Sequence, residues 1–332
     1  MRVSKSLAFV GLLGFMCLQG GQAVAAPPEP DPNIHAQPAS ILVFPLFDAK
    51  EGTGTLISVT NTNTSTISCG NRYQAGDVCL HYIYVNKVEE EDGEERCYEF
   101  DRFECLTPGD TLTVDAEEHN PQQEQGWLWV EARDPETLKP ITFDYLIGSA
   151  VIVDSVKQYA WGYTPYSFRS LVTSCTADGA GTDCGAAGRR CFTDLNEDQY
   201  ADFGIEYEAF PEDLLLDHFF EEGKIDNELT LMSTRTDGDT ALTAFIWNNE
   251  ERRISRGFVF TCHSRAPLNK ISEIVTDLGG TEDEEVKGTQ SGWIEFNTTE
   301  GVLGVFKYKK GTFGAGKELF GEGTKNVSIR RY

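Results

Sequence analysis

Apolar and polar residues alternate in short stretches along most of the chain, with turn residues between them. The stretch Cys79–Lys87 alternates two sets of side chains, with Leu80, Tyr82 and Tyr84 on one face and His81, Ile83 and Val85 on the other. A period of two is typical of β-strands. An acidic tip at residues 89–95 joins this stretch to Cys97–Phe103, which predicts a hairpin.

The same pattern predicts further strands on both sides of the chain's middle. They are Ile41–Phe47, Gly54–Asn61, Leu112–Val114, Gly126–Arg133, Ile141–Asp154, Tyr159–Tyr163, Asn227–Arg235, Thr240–Asn248, Ile254–Cys262, Gly292–Asn297, Gly301–Tyr308 and Lys325–Ile329. Pro45 indicates an edge position for the first of them, because proline donates no ladder hydrogen bond. We expect that strand to complete its own sheet; the alternative is self-assembly, in which it pairs with another subunit.

Two segments of the C-terminal half have helical spacing. In residues 211–222, Pro211 suits a first helical turn, and Leu214, Leu215 and Phe219 form a stripe. Residues 268–278 repeat apolar side chains at the same spacing. The sequence therefore predicts an all-β protein of two antiparallel, immunoglobulin-like β-sandwich lobes with two short helices. One large sandwich with a long central insertion is the alternative.

Composition divides the chain into five segments. Residues 1–25 have the basic start, the apolar run and the Ala23-Val24-Ala25 cleavage site of a signal peptide. A Pro-rich leader follows at 26–39, a first sandwich at 40–172, a Gly-rich and acidic connector at 173–209, and a β-rich lobe at 210–332. No later apolar stretch is long enough for a spanning helix. We expect a secreted protein, extracellular or periplasmic, without membrane insertion.

The cysteines agree with export. Of the nine in the sequence, Cys17 lies in the signal segment, which leaves Cys69, Cys79, Cys97, Cys105, Cys175, Cys184, Cys191 and Cys262. An even number in an exported chain predicts disulfides. Short separations favour Cys69–Cys79 and Cys97–Cys105, with Cys262 tied back to the central connector. A zinc site is the alternative, but the chain has no C-x-x-C pair.

The net charge of −25 limits the partners. Nucleic acid and anionic membrane surfaces repel such a chain. Cations or a cationic partner fit it better, although solubility outside the cell accounts for most of the acidic residues.

The connector contains an acidic segment, Cys191–Glu208, whose polar side chains have a regular spacing. Asp194, Asn196, Asp198 and Asp202 stand at positions one, three, five and nine of a calcium-loop register, and the Tyr200 carbonyl at position seven. We call residues 194–202 the acidic loop. The alternative is a turn whose Asp and Asn side chains cap their own backbone.

Residues 194–198 resemble the D-x-[DN]-x-[DN] loops of dockerins, FG-GAP repeats and EF-hands. The resemblance implies calcium as a cofactor, ligated by these four side chains and the Tyr200 carbonyl. Position six is Gln199 where those families prefer Gly, and position twelve is Ile205 where an EF-hand has Glu. Glu206 or Glu208 would have to replace that glutamate.

Aromatic side chains occupy alternate positions in two predicted strands, Trp127 and Trp129 in one and Tyr159, Trp161 and Tyr163 in the other. On a solvent face they would form a platform for sugar rings, whereas on an inner face they are core, which we expect. No motif of nucleophilic catalysis or H-E-x-x-H site occurs. A glycosidase needs only two carboxylates, which the sequence does not single out.

These observations together favour a non-enzymatic, calcium-stabilised β-sandwich protein with a structural or adhesive role at the cell surface or outside the cell. Its partner would be a surface protein or a glycan. The alternative is a carbohydrate-active protein, either a glycan-binding module or a glycoside hydrolase, that uses the aromatic rows and acidic residues.

Overall fold

The computed structural model describes residues 37–66, 68–69, 73–172, 191–220, 225–248, 253–268, 291–321 and 323–331. Within these ranges the chain is almost entirely β, with several antiparallel sheets, which confirms the predicted fold class. Among the same residues, no helix has the length and apolar character needed to cross a membrane.

In chain order the elements are β1 (Ile41–Asp48), β2 (Thr53–Asn61), β3 (Ser68–Cys69), β4 (Tyr73–Gln74), β5 (Val78–Glu89), β6 (Glu95–Leu106), β7 (Thr111–Asp115), α1 (Ala116–His119), β8 (Gln125–Arg133), β9 (Leu146–Asp154), β10 (Tyr159–Tyr163), β11 (Tyr166–Phe168), β12 (Tyr200–Phe203), β13 (Phe210–Pro211), β14 (Asp213–Phe219), β15 (Asp226–Ser233), β16 (Asp239–Asn248), β17 (Arg253–Thr261), β18 (His263–Pro267), β19 (Gly292–Thr298), β20 (Val302–Lys310), β21 (Phe313–Glu318), β22 (Gly323–Lys325) and β23 (Val327–Arg330).

A five-stranded antiparallel sheet, in the order β11-β1-β8-β5-β6, lies at the centre of the fold. Every residue of β1 is buried, as are all but the first of β8, because both faces of this sheet are covered. The predicted edge position of β1 is wrong, since it lies between β11 and β8. Pro45 is tolerated there because the β1–β8 register shifts between Phe44 and Phe47. The strand thus completes its own sheet.

An eight-stranded sheet has the order β18-β15-β20-β21-β10-β9-β2-β7. Strands from both sides of the predicted connector share it, and they meet at a parallel contact between Ala160 of β10 and Phe313 of β21. One face of the five-stranded sheet packs on its β2, β9 and β10 part. This first core includes Phe44, Tyr82, Leu128, Ile57 and Trp161.

Two further cores complete the fold. The four-stranded sheet β14-β19-β16-β17 packs on β15 and β20, with Leu216, Ile246 and Phe296 against Leu229 and Phe306. The third core lies on the other face of the five-stranded sheet. Its members come from that sheet and from later segments: Ile41, Val43, Ile83, Val85, Trp127, Trp129, Tyr166, Phe168, Ala201, Phe203, Tyr207, Phe210, Met232, Leu303 and Ile329.

The helix predicted at 211–222 is wrong, because Asp213–Phe219 is strand β14. Leu214 and Leu216 pair opposite Phe296 and Ile294 of β19. A register shift between Leu216 and Phe219 then turns Phe219 inward as well, and this bulge imitates helical spacing. The other predicted helix lies outside the described residues from 269 onward. The one helix described, α1, was not predicted; the Asp115 side chain caps it.

Two disulfides are described, and they correct the predicted pairing. Cys79 bonds Cys105, directly opposite it in the β5–β6 hairpin, and Cys97 bonds Cys262. Cys97 and Cys105 cannot pair, because both lie on β6 and eight extended residues span roughly 26 Å. Cys191 is disulfide-bonded too. The Cys69 side chain, Cys175 and Cys184 lie outside the described part.

A candidate functional site at the acidic loop

Both predicted aromatic rows are buried. Trp127 and Trp129 are fully buried in the third core, and Tyr159, Trp161 and Tyr163 lie in the first core at 6% exposure or less. Neither row presents a ring face to solvent. These five residues are therefore core, as expected, and do not form the alternative sugar platform, since the period of two places them on the inner faces of their strands.

Charged side chains continue the Trp127–Trp129 row along β8. Glu131 and Arg133 follow at the next two positions on the same face, and both are buried. Their carboxylate and guanidinium lie 2.5 Å apart. A buried charge is costly unless it is paired and hydrogen-bonded, so further partners must surround this pair.

One branch of partners runs across the sheet. His81 lies opposite Glu131 on β5, and the Arg133 guanidinium donates to its Nδ1 at 3.0 Å. Because a guanidinium only donates, Nδ1 accepts and the ring proton lies on Nε2. Nε2 is 3.2 Å from the Asp101 carboxylate, which is part-exposed on β6. The branch therefore leads from the core to the surface.

The other branch converges on Arg331, which directly follows β23 and is 4% exposed. Its Nε lies 2.9 Å from Glu131 and its Nη2 donates to Glu206 at 2.8 Å. Tyr207 donates to the same Glu131 oxygen at 2.9 Å. We call Asp101, His81, Arg133, Glu131, Tyr207, Arg331 and Glu206 the ion network.

The charges of the ion network shift the pKa values of its members. Burial alone would raise the pKa of Glu131, but Arg133 and Arg331 outweigh it and hold the pKa below its usual value. Burial and the Glu131 charge raise the pKa of Tyr207 well above its usual value. Glu131 is therefore a carboxylate and Tyr207 a neutral donor at physiological pH.

The acidic loop is built on the Arg331 side of this network. Glu206 accepts hydrogen bonds from the backbone of Leu195 at 2.8 Å and of Asp202 at 3.2 Å. The backbone N–H of Arg331 donates to the Gln199 carbonyl at 2.6 Å. Glu206 and Arg331 thus join the loop, β12 and β23 to the central sheet.

Inside the loop the side chains make local turns. The backbone N–H of Tyr200 donates to Asp198 at 2.8 Å, and that of Asp198 to Asn196 at 3.3 Å. Gln199, at position six, has φ of 67°, the left-handed conformation for which calcium loops prefer Gly. The backbone therefore keeps the calcium-loop turn although the residue type differs.

The loop's predicted ligands do not surround one point. The Asn196 amide nitrogen donates to Asp198 at 2.7 Å and lies 3.5 Å from Asp202. Asp194 and the Tyr200 carbonyl face the Arg331 guanidinium instead. In the part of the chain that the structure describes, no three acidic, histidine or cysteine side chains are placed to hold a metal ion. This arrangement does not fit a calcium ion.

Two other surfaces expose side chains suited to contacts. On the outer face of the eight-stranded sheet, Leu56, Val151, Val153, Ala160 and Phe313 form an apolar strip across four strands. On the outer face of the four-stranded sheet, Trp247 and Trp293 are opposite neighbours whose rings stack 3.8 Å apart.

A polar groove of about 740 Å³ borders the loop at Tyr200 and β23 at Ser328. Arg235 lies in it between Asp237 and Glu300, at 3.7 and 3.6 Å. These distances exceed those of hydrogen bonds, so the guanidinium and carboxylates can still bond a ligand.

No protein-family model matches this chain, and no curated protein matches its sequence.

Sequence reasoning found the loop but missed the ion network. One signal for the network was available: Glu131 and Arg133 continue the alternation of two core tryptophans, which places charges on a buried face. Arg331 gave no such signal, because only the β12–β23 pairing brings it to the loop. Trp247 and Trp293 also gave no signal, because only the pairing of β16 with β19 brings them together.

Proposed function

We propose that the chain is an exported, non-enzymatic β protein with a structural or adhesive role at the cell surface or outside the cell. The Cys79–Cys105 and Cys97–Cys262 bridges suit an oxidising compartment. His81, the histidine of the ion network, is held between Arg133 and Asp101 rather than beside a nucleophile. These features support a rigid scaffold.

The apolar strip is the observation that carries the adhesive role. Phe313 is 82% exposed, and Val151, Val153 and Leu56 are each about two-fifths exposed. On the same face the neighbouring β2–β7 positions carry hydroxyl pairs, Ser58 with Thr113 and Thr60 with Thr111. Contiguous exposed apolar side chains rimmed by polar ones mark contact surfaces. The strip would contact an apolar patch on a surface protein.

A binding assay with matched variants tests this role. The double change Val153→Ser with Phe313→Ser removes two apolar side chains of the strip, including the most exposed one. The control, Val259→Ser, alters a valine on another sheet that is more exposed than Val153. Labelled protein is added to the cells that export it. We expect a several-fold loss of bound protein for the double variant alone, with unchanged melting. Full binding by the double variant, or equal loss in the control, rejects the role.

A glycan-binding role is the second candidate, and the polar groove favours it. Arginine, carboxylate and threonine side chains line the groove, and Tyr200 offers a part-exposed ring. Sugar hydroxyls bond such groups and sugar rings stack on aromatic faces. A glycan array with wild type, Arg235→Ala and Trp293→Ala distinguishes the groove from the tryptophan pair. Absence of any wild-type signal rejects this candidate.

A further inference from the structure

Three oxygen-bearing groups of the acidic segment surround the guanidinium of Arg331. Asp194, at position one, has a carboxylate oxygen 3.6 Å from Nη1 of Arg331. The Tyr200 carbonyl, at position seven, accepts a hydrogen bond from the same nitrogen. Glu206, one residue beyond position twelve, accepts from Nη2 at 2.8 Å. In an EF-hand, positions one, seven and twelve are calcium ligands.

We propose that the guanidinium of Arg331 takes the place of the metal ion in this loop. It is planar and always charged, and its five N–H donors suit several oxygens at fixed angles. Its Nε is also engaged, 2.9 Å from Glu131 in the central sheet. The loop therefore closes around a cation of the chain's own, and this cation also fixes the loop to the sheet.

The other predicted ligands are satisfied without a metal. Asn196 directs an N–H donor at Asp198, where a cation would require an oxygen. Asp202 accepts a hydrogen bond from the Ser328 hydroxyl on β23. These contacts offset the repulsion between the neighbouring carboxylates without a metal ion.

Arg331 and calcium exclude each other at this site. A calcium ion on the Tyr200 carbonyl and Asp194 would lie beside a buried positive charge. To bind, calcium would have to displace Arg331 from Glu131 and Glu206 as well. Removing the side chain, in contrast, leaves carboxylate and carbonyl oxygens around a space with no cation.

Thermal melts of three proteins test the proposal, each measured in chelator and in calcium. They are wild type, Arg331→Ala and, as a control, Arg265→Ala. The control removes a largely buried arginine whose carboxylate partners, Asp48 and Glu228, are not part of the loop. We expect the melting temperature of wild type to be the same in chelator and in calcium, and the melting temperature of the control also to be unaffected by calcium. Arg331→Ala should melt several degrees lower in chelator and regain part of the loss in calcium.

A rise of the wild-type melting temperature in calcium over chelator overturns the proposal. So does an Arg331→Ala variant that melts like wild type in chelator. If Arg331→Ala does not fold, the wild-type comparison still decides, and Arg331→Lys replaces it. The lysine keeps the charge but not the planar fork, so we expect a smaller loss of melting temperature and no gain in calcium.

Discussion

One face of the five-stranded sheet packs Phe44, Tyr82 and Leu128 against the eight-stranded sheet, whereas the opposite face carries Glu131 and Arg133 beside its tryptophans. Both faces are equally buried. The apolar face gains free energy simply by leaving water. The other face must satisfy each charge with a partner at a defined position. Burial thus stabilises the sheet on both faces, and on the second face the charges also select which segments cover it.

Among substitutions that distinguish the two faces, we expect Glu131→Ala to lower the free energy of unfolding most. Loss of this carboxylate leaves Arg133 and Arg331 without their shared anion, at a cost of about 3–5 kcal/mol. Replacing Glu131, Arg133 and Arg331 together by methionine should recover part of that loss, because neither arginine then remains buried without its anion. The recovery is incomplete, since Glu206 loses its Arg331 partner. Urea unfolding of both variants measures it. A triple variant less stable than Glu131→Ala would contradict this account.

On the apolar face, Phe44→Ala should cost about 3–5 kcal/mol through lost burial and a cavity. No second polar substitution can recover it, because the loss does not arise from an unpaired group. Urea unfolding gives the free energy, and Val151→Ala on the exposed strip is the control, with an effect within about 0.5 kcal/mol. Equal losses in both variants would show that burial does not decide the effect.

The two described disulfides can be compared directly, because Cys97 and Cys105 both lie on the ion-network face of β6. The Cys97–Cys262 bridge closes 165 residues and Cys79–Cys105 closes 26. Replacing the long-range pair by serines should cost about 2–4 kcal/mol, and the hairpin pair about 1–2 kcal/mol less, by loop-closure entropy. Chemical unfolding of the two double variants measures the difference. The reverse order would mean that native strain, not chain entropy, dominates.

The smallest effect concerns Glu99, half-buried on the same face of β6. Burial, and then the Asp101 charge, raise the pKa of Glu99 to about 8 from 4.5. The folded state keeps this proton while the unfolded state loses it, so stability falls as pH rises from 4.5 to 8. Glu99→Gln should therefore melt higher than wild type at about pH 9 and nearly equal to it at about pH 5. A difference independent of pH would contradict the shift.

The sequence predicted most strands because alternation is a local signal. β2, β5 and β8 each lie within about two residues of their predicted bounds, a margin usual for strand ends. β14 was mistaken for a helix because its bulge is visible only once β19 pairs with it. The disulfide partner of Cys97 was missed for a related reason, as no local spacing encodes a contact 165 residues away.

At the candidate site, the sequence located the acidic loop but not what the loop encloses. Position six of the loop is Gln199 instead of the usual glycine, yet its backbone adopts the left-handed conformation that glycine would favour. Arg331 could not be linked to the loop, because its approach depends on β12 pairing with β23 and on Glu131 beneath it. The local motif thus predicted the turn, while the tertiary contacts determine the cation within it.

We expect the ion network to hold the acidic loop and β23 in place rather than to stabilise the sheet beneath them. Hydrogen exchange of the Glu131, Arg133 and Arg331 triple methionine variant tests it most directly, with Phe44→Ala for comparison. We expect faster exchange at the backbone amides of Tyr207 and position 331, which donate to the carbonyls of Asp202 and Gln199, and unchanged exchange in β5 and β8. Phe44→Ala should accelerate exchange in β5 and β8 instead. Uniform acceleration across the triple variant, or unchanged exchange at the loop, would contradict this expectation.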